Sequence, residues 1–150
     1  MIEVLCSSVA ETMALGRRLA SLLHVGDVIL LSGDLGSGKT AFASGIAEGL
    51  GVEERVTSPS FVIVRTYTGL IPFTHVDVYR LQSSGEFEDL ELVEDAADGV
   101  LVIEWGPAVV ASVPRDHLLV TLDVTLEEQR EISLFPKGSW RGRPLRELQL

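Results

Sequence analysis

The segment 33–40, which reads Gly-Asp-Leu-Gly-Ser-Gly-Lys-Thr, constrains the fold of this chain of 150 residues more than any other feature. It follows the apolar run 28–31 and precedes a segment of helical character that extends over 39–50. A short apolar run of this kind predicts a strand covered on both faces. The order strand, glycine-rich loop, helix therefore predicts a phosphate-binding unit in a parallel sheet.

The residue types of this loop suit an anion. Gly33, Gly36 and Gly38 allow backbone conformations that are closed to other residues and let the main chain approach a ligand closely. The exposed N–H groups and the helix N-terminus then form a concave site for phosphate. Lys39 is expected to add positive charge at the β- and γ-phosphates, and the Thr40 hydroxyl to ligate Mg²⁺, which prefers oxygen ligands.

Two acidic residues follow apolar runs and are the candidates for metal binding and hydrolysis. Asp77 ends the run 73–77, and Glu104 ends the run 101–104. An acid at the carboxyl end of a parallel strand points into the crevice where α/β folds bind ligands. One carboxylate would hold Mg²⁺ through water while the other orients the attacking water. His75 shares a strand face with Asp77 and could support Asp77 or the metal shell, but we expect it to be a hydrogen-bonded structural residue.

The remaining elements alternate between strand and helix, which predicts an α/β fold with a largely parallel sheet in one domain. A helix capped by Ser7 or Ser8 is expected to run to about Leu23, and an acidic helix is expected over 84–98. Further strands are predicted at 61–67, 71–78, 100–103, 118–124 and 131–135.

The charge of the chain is uneven. The whole sequence carries a net charge of −10, which disfavours broad binding of nucleic acid. Residues 137–150 hold four cations and one carboxylate, a net charge of +3, which leaves −13 for the domain 1–136. The segment is interpreted as a solvated, frayed tail. The alternative is a basic contact for RNA or for an acidic partner, with Trp140 as a stacking or anchoring group.

The sequence also indicates the compartment. No apolar run approaches the roughly 20 residues that cross a bilayer, and the start of the sequence does not have the pattern of a signal peptide. Cys6 is the single cysteine, so an internal disulfide is excluded. We therefore expect a cytoplasmic protein without a membrane partner.

Three further motifs accompany the loop. They are Thr-Ser-Pro-Ser-Phe at 57–61, His-Val-Asp-Val-Tyr-Arg-Leu at 75–81 and Ile-Glu-Trp at 103–105. In this order and spacing the chain resembles the TsaE (YjeE) family, bacterial ATPases required for threonylcarbamoyladenosine modification of tRNA. The resemblance covers about residues 5–125.

The resemblance implies a P-loop NTPase fold, with a central, mainly parallel β-sheet flanked by antiparallel strands and helices. It implies slow hydrolysis of ATP with Mg²⁺, and assembly with the TsaB–TsaD heterodimer, which transfers the threonylcarbamoyl group to adenosine next to the tRNA anticodon. ATP hydrolysis would drive or reset that complex, so contact with tRNA would be indirect.

The resemblance also assigns roles to residues. Lys39, Asp77 and Glu104 would be catalytic, and residues 58–61 would form a switch-like loop, although the residues themselves suit an ordinary turn held by Pro59 equally well. The expected ligands of Mg²⁺ are Thr40, Asp77 and Glu104. The residues expected to contact the nucleotide are Gly33, Asp34, Leu35, Gly36, Ser37, Gly38, Lys39, Thr40, Ala41 and Trp105.

Two other functions use the same loop. A small-molecule kinase needs an arginine-bearing lid that closes over both substrates, and the middle of this chain shows no insertion of that kind. A nucleotide sensor would bind without turnover, and Glu104 would then be structural. The reaction products distinguish the three: free phosphate, a phosphorylated small molecule, or neither.

Overall fold

The computed structural model describes residues 1–34, 36–57, 64–78, 91–104 and 111–149. Within these residues the chain forms one seven-stranded sheet with helices on it. The strands are β1 (Ile2–Cys6), β2 (Val28–Ser32), β3 (Val64–Tyr67), β4 (Phe73–Asp77), β5 (Val100–Glu104), β6 (Leu118–Val124) and β7 (Arg130–Pro136). The α-helices are α1 (Val9–Ala20), α2 (Lys39–Gly49) and α3 (Leu92–Asp95), and two 3₁₀ helices follow at Gly138–Gly142 and Leu145–Gln149.

The strand order is β1-β7-β6-β2-β5-β4-β3. The four central strands β6, β2, β5 and β4 are parallel to one another, whereas β7, β1 and β3 pair antiparallel at the two sides. This confirms the predicted α/β fold with a parallel centre and antiparallel flanks. Strands β2 and β5 are buried on both faces, which explains why their sequences are continuous apolar runs.

Helices α1 and α2 cover one face of the sheet and touch each other through glycine. A Cβ placed on Gly45 would lie 2.1 Å from the Met13 carbonyl oxygen, and one on Gly16 would lie 2.5 Å from the Phe42 carbonyl oxygen. Only glycine allows the two helix backbones to approach this closely. The contact fixes α2, and with it the loop before α2, against the rest of the domain.

The boundaries of α2 agree with the prediction, whereas α1 begins as predicted but ends at Ala20 rather than at about Leu23, because the N–H groups of Leu22 and Leu23 turn back to the carbonyl oxygens of Leu19 and Ala20. The Ser8 hydroxyl accepts a hydrogen bond from the Glu11 N–H at 3.1 Å and caps α1, and α2 ends before Gly51, which has a φ of +82°. The acidic helix expected over 84–98 is described only from residue 91, and there it ends at Asp95. It is shorter than expected at this end because Gly99 must pass close to the Pro72 carbonyl oxygen and lead the chain into β5.

The end of the chain is packed, which corrects the expectation of a solvated, frayed tail. Trp140 is 1% exposed, and Leu145 and Leu148 are also buried in the core. The Arg143 guanidinium donates to both carboxylate oxygens of Asp27, at 2.5 and 2.8 Å, and lies 3.7 Å from the centroid of the Trp140 ring. Burial of these three apolar side chains stabilises the packed arrangement, despite the local positive charge. The boundary placed between residues 136 and 137 stays a prediction.

None of the helices in the described part of the chain is long and apolar enough to cross a membrane.

Candidate nucleotide-binding site

The loop between β2 and α2 leaves the N-terminus of α2 open to a ligand. Gly38 is the N-cap of α2, with a φ of +105° and no side chain to satisfy the first N–H groups. Gly36 has a φ of +83°, and no atom lies within 4 Å of a Cβ placed on it. N–H donors without a side-chain cap, beside open space and at the positive end of a helix dipole, are what an anion requires.

Gly33 lets the loop leave the sheet between two close neighbours. A Cβ placed on it would lie 2.5 Å from the Leu122 carbonyl oxygen and 2.5 Å from the Ser37 hydroxyl oxygen. The Ser37 N–H donates to the Asp34 carbonyl oxygen at 3.0 Å, which closes the turn. The side chain of Ser37 is buried, and its hydroxyl has no hydrogen-bond partner among the described residues. The shape of the loop thus depends on β6 as well as on its own sequence.

Lys39 points back into the loop. Its ammonium donates to the carbonyl oxygens of Gly33 at 2.5 Å and Asp34 at 3.3 Å, and the residue is only 8% exposed. The charge is therefore held at the loop rather than extended into solvent. A phosphate that entered the loop would meet an ammonium already in place, and the role of Lys39 in phosphate binding stays a prediction.

Arg130 is a cation at the loop that the sequence analysis missed. It begins β7, and its Nη2 donates to the Gly36 carbonyl oxygen at 3.4 Å while Nη1 donates to the Glu128 carbonyl oxygen at 3.0 Å. The β6–β7 hairpin brings it there from 94 residues away in the sequence. Nothing in the local sequence around Arg130 indicates this contact.

The two predicted acids lie side by side. In the β4–β5 pairing Asp77 is opposite Glu104, and in the β2–β5 pairing Glu104 is opposite Leu31. Both acids therefore stand at the sheet edge where β2 leads into the phosphate loop. Asp77 is partly exposed, whereas Glu104 is 3% exposed. The arrangement suits one carboxylate that reaches solvent and one that is held in a protected position.

His75 contacts Glu104 rather than Asp77. Its Nε2 lies 3.1 Å from the Glu104 Oε2, and the histidine side chain is fully buried. The two atoms are close without the angle of a hydrogen bond, and neither ring nitrogen has a hydrogen-bond partner among the described residues. The expectation of a fully hydrogen-bonded structural histidine is therefore wrong. A buried carboxylate is costly without a partner, and His75 is the one that the fold supplies.

Several predicted site residues lie outside the described residues: Leu35, the loop 58–61 and Trp105. Thr40 is in the first turn of α2, next to Lys39, and is partly exposed. Within the described part of the chain, no three residues among histidine, cysteine, aspartate and glutamate come together as a metal site. Mg²⁺ is usually held by one or two protein ligands together with phosphate and water, so its expected ligands Thr40, Asp77 and Glu104 stay a prediction.

The model of the family described as threonylcarbamoyl adenosine biosynthesis protein TsaE matches residues 6–132. A tRNA threonylcarbamoyladenosine biosynthesis protein TsaE from Streptomyces coelicolor is 45% identical over 132 residues, which cover 83% of this chain and 89% of that protein. The protein of the same name from Mycobacterium leprae is 41% identical over 151 residues, which cover 94% of each.

The fold has a solved counterpart. The crystal structure of Bacillus subtilis YdiB matches with a TM-score of 0.83 and 32% sequence identity, covering 98% of this chain and 93% of that one. These relatives cover most of the chain, and the residues that the family model matches include the positions of the loop, both acids and His75. The chain belongs to the TsaE family.

Proposed function

We propose that this chain binds ATP with Mg²⁺ at the loop 33–40 and hydrolyses it slowly, in support of threonylcarbamoyladenosine formation on tRNA. The observation that carries the proposal is the open N-terminus of α2, with the Lys39 ammonium folded into the loop and the pair Asp77–Glu104 at the same edge of the sheet. The nucleotide is taken as ATP because the sequence lacks the Asn-Lys-x-Asp motif of guanine-specific switch proteins.

Each residue has a defined task in this proposal. The N–H groups at the start of α2 donate to phosphate oxygens, and Lys39 exchanges its bonds to loop carbonyls for bonds to phosphate. The Thr40 hydroxyl and the Asp77 carboxylate supply oxygen ligands for Mg²⁺, which offsets charge on the phosphates when bound. Glu104, whose carboxylate lies 3.1 Å from the His75 Nε2, orients the water that attacks the γ-phosphate.

Slow turnover in isolation fits the arrangement of the cations. An arginine that stabilises the transition state is worth about 10³–10⁵ in rate. Among the described residues Arg130 lies at the loop, and its guanidinium is engaged by the carbonyl oxygens of Gly36 and Glu128. We propose that partner proteins raise the rate, and that these are TsaB and TsaD, with tRNA contacted only through them in the cytoplasm.

The test is calorimetry with ATP in the presence and absence of Mg²⁺. Lys39→Ala should abolish binding because the loop loses its internal charge. The matched control is Lys137→Ala, which removes the only other lysine, at the opposite edge of the sheet, and should bind ATP as the unchanged chain does. Thr40→Ala should lose the dependence on Mg²⁺, and Thr40→Ser, which keeps the hydroxyl, should retain it.

The product identifies the reaction. Release of free phosphate without a phosphorylated acceptor supports an ATPase, whereas a phosphorylated small molecule would show a kinase, and binding without turnover a sensor. Absence of any Mg²⁺-dependent binding of a nucleoside triphosphate, by the folded chain alone or with TsaB and TsaD, would refute the proposal.

A further inference from the structure

A groove lies at the edge of the sheet opposite the phosphate loop. The loop follows Ser32, which pairs with Thr121, whereas the groove is where Leu118 pairs with Pro136, at the other end of β6. Apolar residues and cations line it together: Ile2, Phe135, Leu145, Lys137, Arg141 and Arg146. A ligand in this groove would leave the nucleotide site uncovered.

Within the described part of the chain, three of the cations lack a carboxylate partner. No ion pair joins Lys137, Arg141 or Arg146 to a carboxylate of the described residues, and Arg141 and Arg146 are exposed. Arg143, which also lines the groove, is different because Asp27 neutralises it. Unpaired positive charge is thus concentrated on a chain whose net charge is −10. Such a patch attracts a negatively charged partner and orients its approach.

Among the residues that line the groove, the half-buried Phe135 is the one aromatic side chain. Trp140 is buried, and the Arg143 guanidinium lies over its ring at 3.7 Å. The Lys137 ammonium lies 5.9 Å from the centroid of the Phe135 ring. Single-stranded RNA is usually bound by stacking successive bases on several exposed aromatic side chains, whereas the groove is lined by the single half-buried ring of Phe135. An apolar floor with arginines at the rim instead suits a polypeptide that carries both apolar and carboxylate side chains.

We propose that this groove binds an acidic segment of a partner protein. Apolar side chains of the segment pack on the accessible lining residues Met1, Phe135 and Pro144, and its carboxylates pair with Arg141 and Arg146 at the rim. The proposal does not depend on the proposed function, because it uses none of the residues of the phosphate loop or of the pair Asp77–Glu104.

The probe is a short synthetic peptide that alternates Leu or Phe with Asp or Glu, titrated into the ¹⁵N-labelled full chain at low ionic strength. Its matched control is the same peptide with Asn and Gln in place of the acids. We expect the acidic peptide to shift the amide resonances of Ile2, Phe135 and Leu145, and the neutral peptide to bind much more weakly. Affinity should fall as salt is added, since the rim charges are exposed.

Two double variants test the rim. Arg141→Glu with Arg146→Glu should weaken binding by about tenfold or more, since both rim contacts become repulsive. Arg55→Glu with Arg115→Glu makes the same change of net charge on exposed arginines elsewhere and should bind as the unchanged chain does. Both variants should keep the circular dichroism spectrum of the unchanged chain, and both should bind Mg-ATP unchanged, which keeps this test separate from that of the nucleotide site.

Four results would overturn the proposal. They are no shift of the groove resonances by the acidic peptide, shifts that map to another surface, equal loss of affinity in the two double variants, or displacement of the peptide by a short single-stranded oligouridine that shifts the same residues. The last result would identify RNA as the occupant.

Discussion

Glu104 lies buried at the end of β5, with the His75 Nε2 3.1 Å from its carboxylate and Asp77 opposite it in the next strand. Water cannot stabilise its charge there, so its position depends on neighbouring groups. The fold therefore holds one carboxylate firmly beside the loop and leaves Asp77 more accessible. This difference in exposure supports different roles: water positioning for Glu104 and metal binding for Asp77.

Replacement of either carboxylate by its amide tests these roles. Glu104→Gln and Asp77→Asn keep the side-chain size and remove the charge, so each should leave ATP affinity largely intact. Each should lower hydrolysis by about a hundredfold or more, the usual contribution of a positioned acid or base. Calorimetry measures the first quantity and phosphate release the second.

The matched control is Asp98→Asn, an exposed carboxylate that follows α3 and should change neither quantity. Turnover that stays unchanged in both Glu104→Gln and Asp77→Asn would remove the proposed mechanism.

The sequence allowed part of this site to be predicted. Lys39, Asp77 and Glu104 were identified because each stands at a recognisable point, the start of a helix or the end of an apolar run. Arg130 and the contact between His75 and Glu104 were not, because both depend on which strands become neighbours. Strand pairing between distant segments is a property of the packed sheet that local pattern does not reveal.

At the scale of elements, the sequence predicts where α1 and α2 lie but not how they contact each other. Their positions followed from the cap at Ser8 and the loop before Lys39. In the sequence Gly16 and Gly45 are merely weak helix formers, since glycine lowers helix stability. In the structure they are the points where the two backbones touch.

Gly45→Ala should therefore destabilise the chain, although alanine favours a helix. Its Cβ would lie 2.1 Å from the Met13 carbonyl oxygen, so the two helices must separate. Overpacking of this kind costs about 1–3 kcal/mol in the free energy of unfolding, which exceeds the propensity gain of about 1 kcal/mol. Urea denaturation measures the change.

Gly142→Ala is the matched control, because no atom lies within 4 Å of a Cβ at that position. It should change stability little. A Gly45→Ala chain as stable as the unchanged one would show that the helices are not held in close contact.

For the whole molecule, the end of the chain is a structural part of the domain. The frayed tail was predicted from the net positive charge of residues 137–150. That prediction did not take into account the spacing of Trp140, Leu145 and Leu148. Those three side chains reach the core, and Arg143 binds Asp27 just before β2. Charge alone was a poor guide because apolar burial decided the outcome.

Trp140→Ala should accordingly lower the free energy of unfolding by about 3–5 kcal/mol, the usual loss when a large buried aromatic residue is removed. The side chain is fully buried, and its loss also removes the ring that Arg143 covers. Thermal or urea denaturation measures the loss. The neighbouring exposed Arg141→Ala should stay within about 0.5 kcal/mol of the unchanged chain. Equal stability of the two variants would contradict the packed arrangement.

The pairing of early strands with late ones has a consequence for synthesis on the ribosome. β1 pairs with β7, and β2 lies between β5 and β6, so the first strands to emerge wait for partners that are translated last. Gly33 also rests against the carbonyl of Leu122, which belongs to β6. A nascent chain that stops before β6 therefore exposes an apolar, unpaired β2 to chaperones and to aggregation. We therefore expect the phosphate loop to take its final shape only after β6 has emerged from the ribosome.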